Sequence, residues 1–335
     1  MSDATIYTES DAPSSIPGVS RIAVVGYGSQ GEAHARNLDD AGFDVVVGLR
    51  EGSPSRAKAA SHGLAVATVA EAVKGAELVS MLIPDPAQPR VFEAEVKPNL
   101  APDAALLFAH GFNVHFGAIE APEGVDVILV APKSPGPMLR REFENGNGVP
   151  ALFAVHRDVT GEARERALAY GRGLGSARAG MLETTFAEET ETDLFGEQAV
   201  LCGGVSELVQ AGFDTLVDAG YQPEVAYFEC LHELKLIVDL MYQFGVTGMR
   251  ERVSDTAEFG DYVSGPRVVG QASRQAMKDI LAEIQGGDFA RRWMEVANGG
   301  STEFQELRDS AQAHLIEEVG PRLRGRMAWM HGSQK

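Results

Sequence analysis

Four carboxylates in the second half of the chain form two pairs at helical spacing. Asp193 and Glu197 are four residues apart in EETETDLFGEQ, and Glu229 and Glu233 repeat that spacing in FECLHELK. Residues four apart share one face of a helix, where two like charges destabilise the helix slightly. Hard cations such as Mg²⁺ bind carboxylate oxygens, and two-metal sites are commonly bridged by a carboxylate. The two pairs are candidate metal ligands, although a single acidic pair is more often a solvated helix face.

Other residues beside these pairs are expected to have plainer roles. Glu188, Glu189 and Glu191 precede the first pair, and we expect them to be solvated or to cap a helix. His232 lies between the members of the second pair but on a different face of the helix, so we expect it to be structural.

A glycine-rich segment near the start of the chain has the form G-x-G-x-x-G. It follows the apolar run RIAVV and precedes EAHARNLDDAG, which has helical periodicity, so it connects a strand to a helix. The first glycine allows a tight turn, the second lets a pyrophosphate approach the backbone, and the third lets the helix pack on the strand. The free N–H groups of the helix then bind phosphate. The candidate cofactor loop is Gly26, Tyr27, Gly28, Ser29, Gln30 and Gly31.

The end of the second predicted strand indicates which nicotinamide cofactor is bound. NAD enzymes usually place Asp or Glu there, to bind the ribose 2′-hydroxyl. This chain has Arg50 instead, followed by Ser53 and Ser55. A guanidinium and two hydroxyls suit a 2′-phosphate, so the loop favours NADPH over NADH. Glu51 is the exception, because its carboxylate could meet a ribose hydroxyl.

The elements that position these residues change in character near residue 184. Up to that point, apolar runs such as LVSMLIP, ALLFAHG and VDVILVAP alternate with helical patterns, which predicts a parallel sheet with helices on both faces. From Phe186 onward the periodicity is helical throughout. We therefore predict an α/β domain over residues 1–184, with an N-terminal arm over 1–20, and an all-α domain over residues 185–335.

Composition excludes several classes of protein. The formal net charge of −19 argues against binding to nucleic acid or to anionic membrane surfaces. Apolar runs of 18 or more residues are absent, so we expect no membrane span. The polar, acidic start differs from a signal peptide, which favours a cytoplasmic protein. Cys202 and Cys230 match no zinc spacing, and a disulfide is not expected in that compartment.

Several segments closely resemble ketol-acid reductoisomerase, and the likeness covers about residues 20 to 330. The most specific are ETDLFGEQ and FECLHELKLIVDL, which contain the acidic pairs; the others are VVGYGSQGEAHARNL, GLREGSPSRAKA, AHGFNVHF and SDTAEFGD. The length resembles the short, class I form. The resemblance implies a Rossmann-type N-terminal domain with a parallel sheet, followed by a knotted, all-helical domain that forms a homodimer or a higher assembly of dimers.

The resemblance also implies a reaction in two steps. An alkyl group of 2-acetolactate or 2-aceto-2-hydroxybutyrate migrates in a step that depends on two Mg²⁺ ions, and NADPH then reduces the product to a 2,3-dihydroxy-3-methyl acid. This reaction belongs to the biosynthesis of the branched-chain amino acids. Two cations suit it because migration needs an alkoxide beside a polarised carbonyl.

The residue roles that the resemblance implies fall into three groups. Asp193, Glu197, Glu229 and Glu233 would hold the metals, with Asp193 bridging and the second pair coming from the partner subunit. His110 and Lys133 would act beside the metals, where Glu233 is also counted as catalytic, and Ser254 would hold the substrate carboxylate. The cofactor positions would be Tyr27, Gly28, Ser29, Gln30, Arg50, Ser53, Ser55, Asp85, Gln88 and Gly136.

The chain departs from the family pattern at a few positions. Glu32 replaces the first histidine of the usual GSQGHAHA, and Ser134 and Pro137 alter the usual APKGPGH. Gln243 and Phe244 change YEGG to YQFG, and RERVS stands where YSIS is usual. These changes leave the acetohydroxy acid substrate open, because a divergent paralogue in a specialised pathway would also fit.

Two further alternatives come from other functional classes. A metal-independent NADP-dependent 3-hydroxy acid dehydrogenase would have a similar sheet and a helical second half, but no use for four carboxylates. A non-catalytic NADP-binding regulator would have no need of His110, Lys133 and Ser254.

Overall fold

The computed structural model describes residues 4–327, which divide into two compact units. The first extends to Thr192 and the second begins at Asp193. The sequence pattern placed the boundary earlier, after residue 184, where the last strand ends. The division lies later because the helix that follows this strand begins in the first unit, where Phe186 packs in its core.

The first unit is built on one sheet. Among the described residues, nine strands form it in the order β1-β9-β8-β7-β6-β5-β2-β3-β4. Their bounds are β1 Ile6–Tyr7, β2 Arg21–Val25, β3 Asp44–Gly48, β4 Ala65–Ala67, β5 Leu78–Met81, β6 Ala105–Phe108, β7 Asp126–Pro132, β8 Ala151–Arg157 and β9 Met181–Glu183.

The prediction of a parallel sheet is confirmed for the centre and wrong for β8. Strands β2 to β7 pair in parallel, whereas β8 runs antiparallel to β7. The helix between them, Gly136–Glu144, lies against Ser29–Asp40, where Arg140 donates to the Asn37 side chain. Because that helix does not cross back over the sheet, β8 begins beside the end of β7, where Ala151 pairs with Pro132. Strand β8 must therefore run antiparallel to β7.

The predicted N-terminal arm contributes a strand of its own. Tyr7 pairs with Met181, so β1 extends the sheet antiparallel to β9. The Arg172 guanidinium donates to the carbonyls of Glu9 and Ala12 at 2.8 and 2.7 Å. The arm is thereby fixed to the first unit.

Both faces of the sheet are covered, as its near-continuous apolar strands require. In β2, Ile22 and Val24 join the core on one face, and Ala23 and Val25 join the core on the other. The helices of this unit are α1 Ser29–Asp40, α2 Ser55–Ser61, α3 Val69–Val73, α4 Gln88–Val91, α5 Phe112–His115, α6 Gly136–Glu144 and α7 Ala163–Gly173.

The second unit is helical over its described residues, as predicted. Its first helix, α8 Phe186–Gly196, starts in the first unit, and the others are α9 Gly203–Asp218, α10 Pro223–Tyr227, α11 Glu233–Arg250, α12 Asp255–Val268, α13 Gln271–Gln285, α14 Asp288–Asn298, α15 Glu303–Gln312 and α16 Leu315–Arg324. A small core forms around Phe213, Tyr227 and Ile316.

Many large apolar side chains of the second unit are exposed, among them Leu201, Leu236 and Tyr242. By length and composition alone, the helical run Phe186–Asp218 is long and apolar enough to cross a membrane. One such helix is weak evidence for a membrane span. An exposed apolar helix face equally suits contact with another protein surface.

Candidate functional site

The glycine loop between β2 and α1 is shaped to receive a pyrophosphate. Gly26 has φ +107°, and a Cβ there would lie 2.5 Å from the Leu82 carbonyl oxygen. A Cβ on Gly31 would lie 2.5 Å from the Gly26 carbonyl oxygen, whereas the space beside Gly28 is open. Helix α1 begins after Gly28 without a side-chain cap, so its first N–H groups remain available to an anion.

A second segment, residues 133–136 after β7, closes against this loop. The Gln30 Nε2 donates to the Ser134 carbonyl at 2.8 Å, and the Gly136 N–H donates to the Ser29 Oγ at 3.2 Å. A Cβ on Gly136 would lie 1.9 Å from the Ser29 carbonyl oxygen, so only glycine fits. Among the described residues, the buried Gln30 Oε1 has no hydrogen-bond partner, which leaves an acceptor for a ligand.

The loop after β3 brings the predicted phosphate-binding residues together. Arg50 is exposed, the Ser53 N–H donates to the Arg50 carbonyl at 3.2 Å, and Ser55 is the first residue of α2. The Arg56 guanidinium donates to the carbonyls of Leu49 and Ala67, so it holds the ends of the loop instead of facing a ligand.

Tyr27 is buried beside the glycine loop. Its hydroxyl lies 2.8 Å from the His62 Nδ1. Burial, and then the negative charge of Glu32, raise the pKa of Tyr27 to about 12. The phenol therefore stays neutral at physiological pH and braces the loop.

Two predicted cofactor residues, Asp85 and Gln88, belong to a compact turn after β5. The Gln88 Nε2 donates to the Ile83 carbonyl at 2.9 Å, while its Oε1 accepts from the Asn113 Nδ2 at 3.0 Å. Asn113 also donates to the Asp85 carbonyl at 3.1 Å. Both ends of the Gln88 amide thus shape the turn, and the buried Asn113 is a supporting residue that sequence patterns did not reveal.

The centre of the site in the first unit is the carboxylate of Glu189, whose side chain is 1% exposed. One oxygen accepts from the Lys133 Nζ at 2.9 Å. The other lies 3.1 Å from the His110 Nδ1 and accepts from the Gly111 N–H at 2.9 Å. Lys133 follows β7 and His110 follows β6, so α8 brings its acid to the carboxyl edge of the sheet.

The electrostatics of this cluster keep Glu189 ionised. Burial alone would raise its pKa, but the hydrogen bond and charge of His110, followed by those of Lys133, lower the pKa to about 2. Glu189 therefore presents a full negative charge to both neighbours at neutral pH. When the His110 Nδ1 carries the proton, it donates to the Glu189 carboxylate, and the Nε2 of the neutral ring is then an acceptor.

The expectation that Glu189 is solvated or capping is wrong. Glu188 does behave so, because it is exposed and its carboxylate accepts from the Thr184 Oγ1 at 2.7 Å near the start of the helix. Glu191 is half-buried and lies 3.3 Å from the His115 Nε2. The sequence places Glu189 four residues before Asp193, on the same helix face, but its burial depends on contacts with Lys133 and His110 that no local pattern shows.

The predicted metal ligands lie beside irregular helical turns in the second unit. Asp193 is in α8, and Glu197 begins the π-helical turn Glu197–Leu201. Glu229 lies within the π-helical turn Phe228–His232, and α11 begins at Glu233. Such π-helical turns occur frequently at functional sites. Within residues 4–327 of one chain, these four carboxylates do not form a cluster of three or more close ligand atoms.

Ser254 occupies the N-cap of α12. Its Oγ accepts from the Ala257 N–H at 3.2 Å, and the residue is exposed. Ser254 therefore caps a helix whose N-terminus favours a nearby anion.

Comparison with known proteins matches both halves of the chain. Residues 19–180 match the acetohydroxy acid isomeroreductase NADPH-binding domain, and residues 186–329 match the ketol-acid reductoisomerase C-terminal domain. A structure of an NADH-preferring ketol-acid reductoisomerase from an uncultured archean is 43% identical, with a TM-score of 0.93 over 96% of this chain and 98% of that one. A semialdehyde dehydrogenase NAD-binding protein from Cupriavidus necator shares only the fold, at 15% identity and TM-score 0.61 over 79% and 98%.

Glu189→Gln tests the buried carboxylate through stability. At neutral pH we expect a loss of about 1–3 kcal/mol in unfolding free energy, because Lys133 and His110 lose a charged acceptor. Glu188→Gln, an exposed neighbour on the same helix, is the matched control and should change stability by less than about 0.5 kcal/mol.

The pH dependence follows from the lowered pKa of Glu189. Its stabilisation is complete above the unfolded value of 4.5 and is lost as pH falls toward about 2. Chemical denaturation between pH 3 and 8 should show the difference between Glu189→Gln and the unaltered protein shrinking below about pH 5. A difference that is absent at pH 7, or that grows on acidification, would contradict the assignment.

Proposed function

Because the chain belongs to the ketol-acid reductoisomerase family, it is an enzyme of branched-chain amino acid biosynthesis, and we propose that it acts on 2-acetolactate and 2-aceto-2-hydroxybutyrate with NADPH and two Mg²⁺ ions. The observation that carries the proposal is the Glu189 cluster at the edge of the sheet. The Glu189 carboxylate contacts His110 and Lys133, and Lys133 begins the segment 133–136 that contacts the glycine loop.

NADPH is proposed from the charges around the loop after β3. Arg50 is exposed there, with Ser53 and Ser55 next to it in a short turn. The related archaeal enzyme is described as preferring NADH, so membership of the family does not decide the cofactor. A guanidinium at the end of the second parallel strand favours a phosphate over a hydroxyl, which supports NADPH.

Two Mg²⁺ ions fit the donor set. Asp193, Glu197, Glu229 and Glu233 offer only carboxylate oxygens, the ligands that this hard cation prefers. We propose that Asp193 bridges the ions and that the second pair, Glu229 and Glu233, comes from the partner subunit. When bound, Mg²⁺ supplies Lewis acidity that stabilises negative charge on substrate oxygens during alkyl migration and reduction.

The residues of this chain would prepare the site for both steps. Glu189 orients the His110 ring, so its Nε2 can hold or move a proton at the substrate. Lys133, fixed by the same carboxylate, places positive charge near substrate oxygens. Ser254, at the N-terminus of α12, would meet the substrate carboxylate. When bound, the nicotinamide cofactor would supply the hydride for the reduction.

We further propose a cytoplasmic homodimer, or an assembly of such dimers. The exposed apolar surface of the second unit, including Leu201, Leu236 and Tyr242, would be covered by the second copy. The proposed sharing of metal ligands between subunits also requires a dimer.

A related acetohydroxy acid is the second candidate substrate. The Arg252 guanidinium lies 3.8 Å from the centre of the Phe244 ring, so two departures from the family pattern contact each other. They flank a kink at Gly245, which has φ 72°, and Arg252 precedes Ser254 by two residues. A substrate panel of 2-acetolactate and bulkier 2-aceto-2-hydroxy acids, followed by NADPH absorbance, distinguishes the candidates.

Asp193→Asn tests the bridging ligand. We expect alkyl migration to fall by about a hundredfold or more, because one charge between two cations is lost. Reduction of the isolated 2-oxo acid intermediate should fall less, since it needs less stabilisation of charge. Asp218→Asn, an exposed acid in the same unit, is the control. Isomerisation that survives Asp193→Asn unchanged would overturn the two-metal proposal.

Changing Ser53 and Ser55 together to Asp tests the cofactor. Two new carboxylates would repel the 2′-phosphate, and a charge-assisted contact of about 1.5–3 kcal/mol predicts at least a tenfold shift in kcat/KM toward NADH. The double change to Ala separates loss of hydroxyls from repulsion. Equal KM values for NADH and NADPH in the unaltered protein would rule out the NADPH preference.

A mixture of two inactive variants tests the shared site. Glu197→Gln affects one subunit's ligands and Glu233→Gln affects those expected from its partner. After subunit exchange, a heterodimer should contain one site with both changes and one with neither, so activity should return. Mass spectrometry of the mixture confirms exchange, and if no activity accompanies it, each site is built within one chain.

A further inference from the structure

Glu32 forms a charged cluster at the adenosine end of the proposed cofactor site. It lies in the first turn of α1, directly after the glycine loop. Its carboxylate is 2.5 Å from the Lys58 Nζ, 3.6 Å from an Arg36 nitrogen and 3.8 Å from the His62 Nδ1. The first contact crosses from α1 to α2, so Glu32 links the two elements that flank the proposed 2′-phosphate position.

Lys58 is the cation in this cluster that can change partners. It lies one helical turn after Ser55, on the same face of α2, and its side chain is 56% exposed. The lysine stem is long and flexible, so its ammonium can reach the loop that carries Ser53 and Ser55. By contrast, Arg56 is held by two backbone carbonyls, and His62 lies against Tyr27.

We propose that Glu32 determines cofactor specificity by holding Lys58 away from the 2′-phosphate, which lowers the preference for NADPH over NADH. The inference rests on the proposed NADPH site. A phosphate must compete with the Glu32 carboxylate for the same ammonium, and what it gains from Lys58 is reduced by the ion pair that breaks. NADH, which has a hydroxyl at that position, makes no such demand.

Calorimetric titration of the full-length protein tests the inference without turnover. Adenosine 2′,5′-bisphosphate and AMP differ by the 2′-phosphate alone. Both are titrated into the unaltered protein, Glu32→Gln, Lys58→Gln and the double variant. Glu93→Gln is the matched control, because it also removes an acid from a lysine pair, with Lys97 at 2.7 Å, outside this cluster.

We expect Glu32→Gln to bind the bisphosphate roughly three- to tenfold more tightly, the range expected when one solvent-exposed ion pair no longer competes for Lys58. AMP should change by less than about twofold, and Glu93→Gln should change neither. In the Lys58→Gln background, Glu32→Gln should give little or no gain, because the cation that it releases is missing.

Three outcomes overturn the inference. The first is no gain for the bisphosphate in Glu32→Gln. The second is an equal gain for AMP, which would show a general effect on anions. The third is a full gain in the Lys58→Gln background, which would show that Glu32 acts through its own charge alone.

The same titrations distinguish a failure of the proposed NADPH site from a failure of the role of Glu32. If the unaltered protein binds the bisphosphate no more tightly than AMP, and Arg50→Ala changes neither affinity, the 2′-phosphate site itself is wrong. If Arg50→Ala weakens the bisphosphate but Glu32→Gln has no effect, only the role of Glu32 fails.

Discussion

The buried carboxylate of Glu189 is the interaction on which the candidate site depends. A charge with a 1% exposed side chain is tolerated only when it is paired and hydrogen-bonded, and Glu189 has Lys133, His110 and the Gly111 N–H as partners. Those partners follow two adjacent parallel strands. One acid therefore fixes the ends of β6 and β7 against the start of α8, and it gives a lysine and a histidine defined positions.

The cofactor loop and this cluster are joined by a short segment. Lys133 is followed at once by Ser134, whose carbonyl accepts from Gln30, and by Gly136, which packs on Ser29. The residues that contact the glycine loop are thus one and three residues after Lys133, the lysine proposed to meet the substrate. Such closeness is expected at the carboxyl edge of a parallel sheet, where loops from neighbouring strands converge.

Membership of the family leaves charge details of the cofactor site undetermined. The archaeal relative is described as NADH-preferring. The loop after β3 in this chain contains Arg50, Ser53 and Ser55. Glu32 adds an opposing charge from the next element. Cofactor preference is a difference between two binding free energies, so a carboxylate that occupies one lysine can matter as much as a direct contact.

The sequence by itself determined the features that depend on local spacing. The glycine loop, the alternation of strands and helices, the all-helical second half and the paired acids all show in short periodic patterns, and motif resemblance added the family. Tertiary structure alone decided the burial of Glu189, the antiparallel course of β8 and the closing of Ser134 and Gly136 on the glycine loop. The physical reason is distance along the chain. Glu189 meets Lys133 and His110 across separations of 56 and 79 residues, so its solvation depends on packing that no local pattern contains.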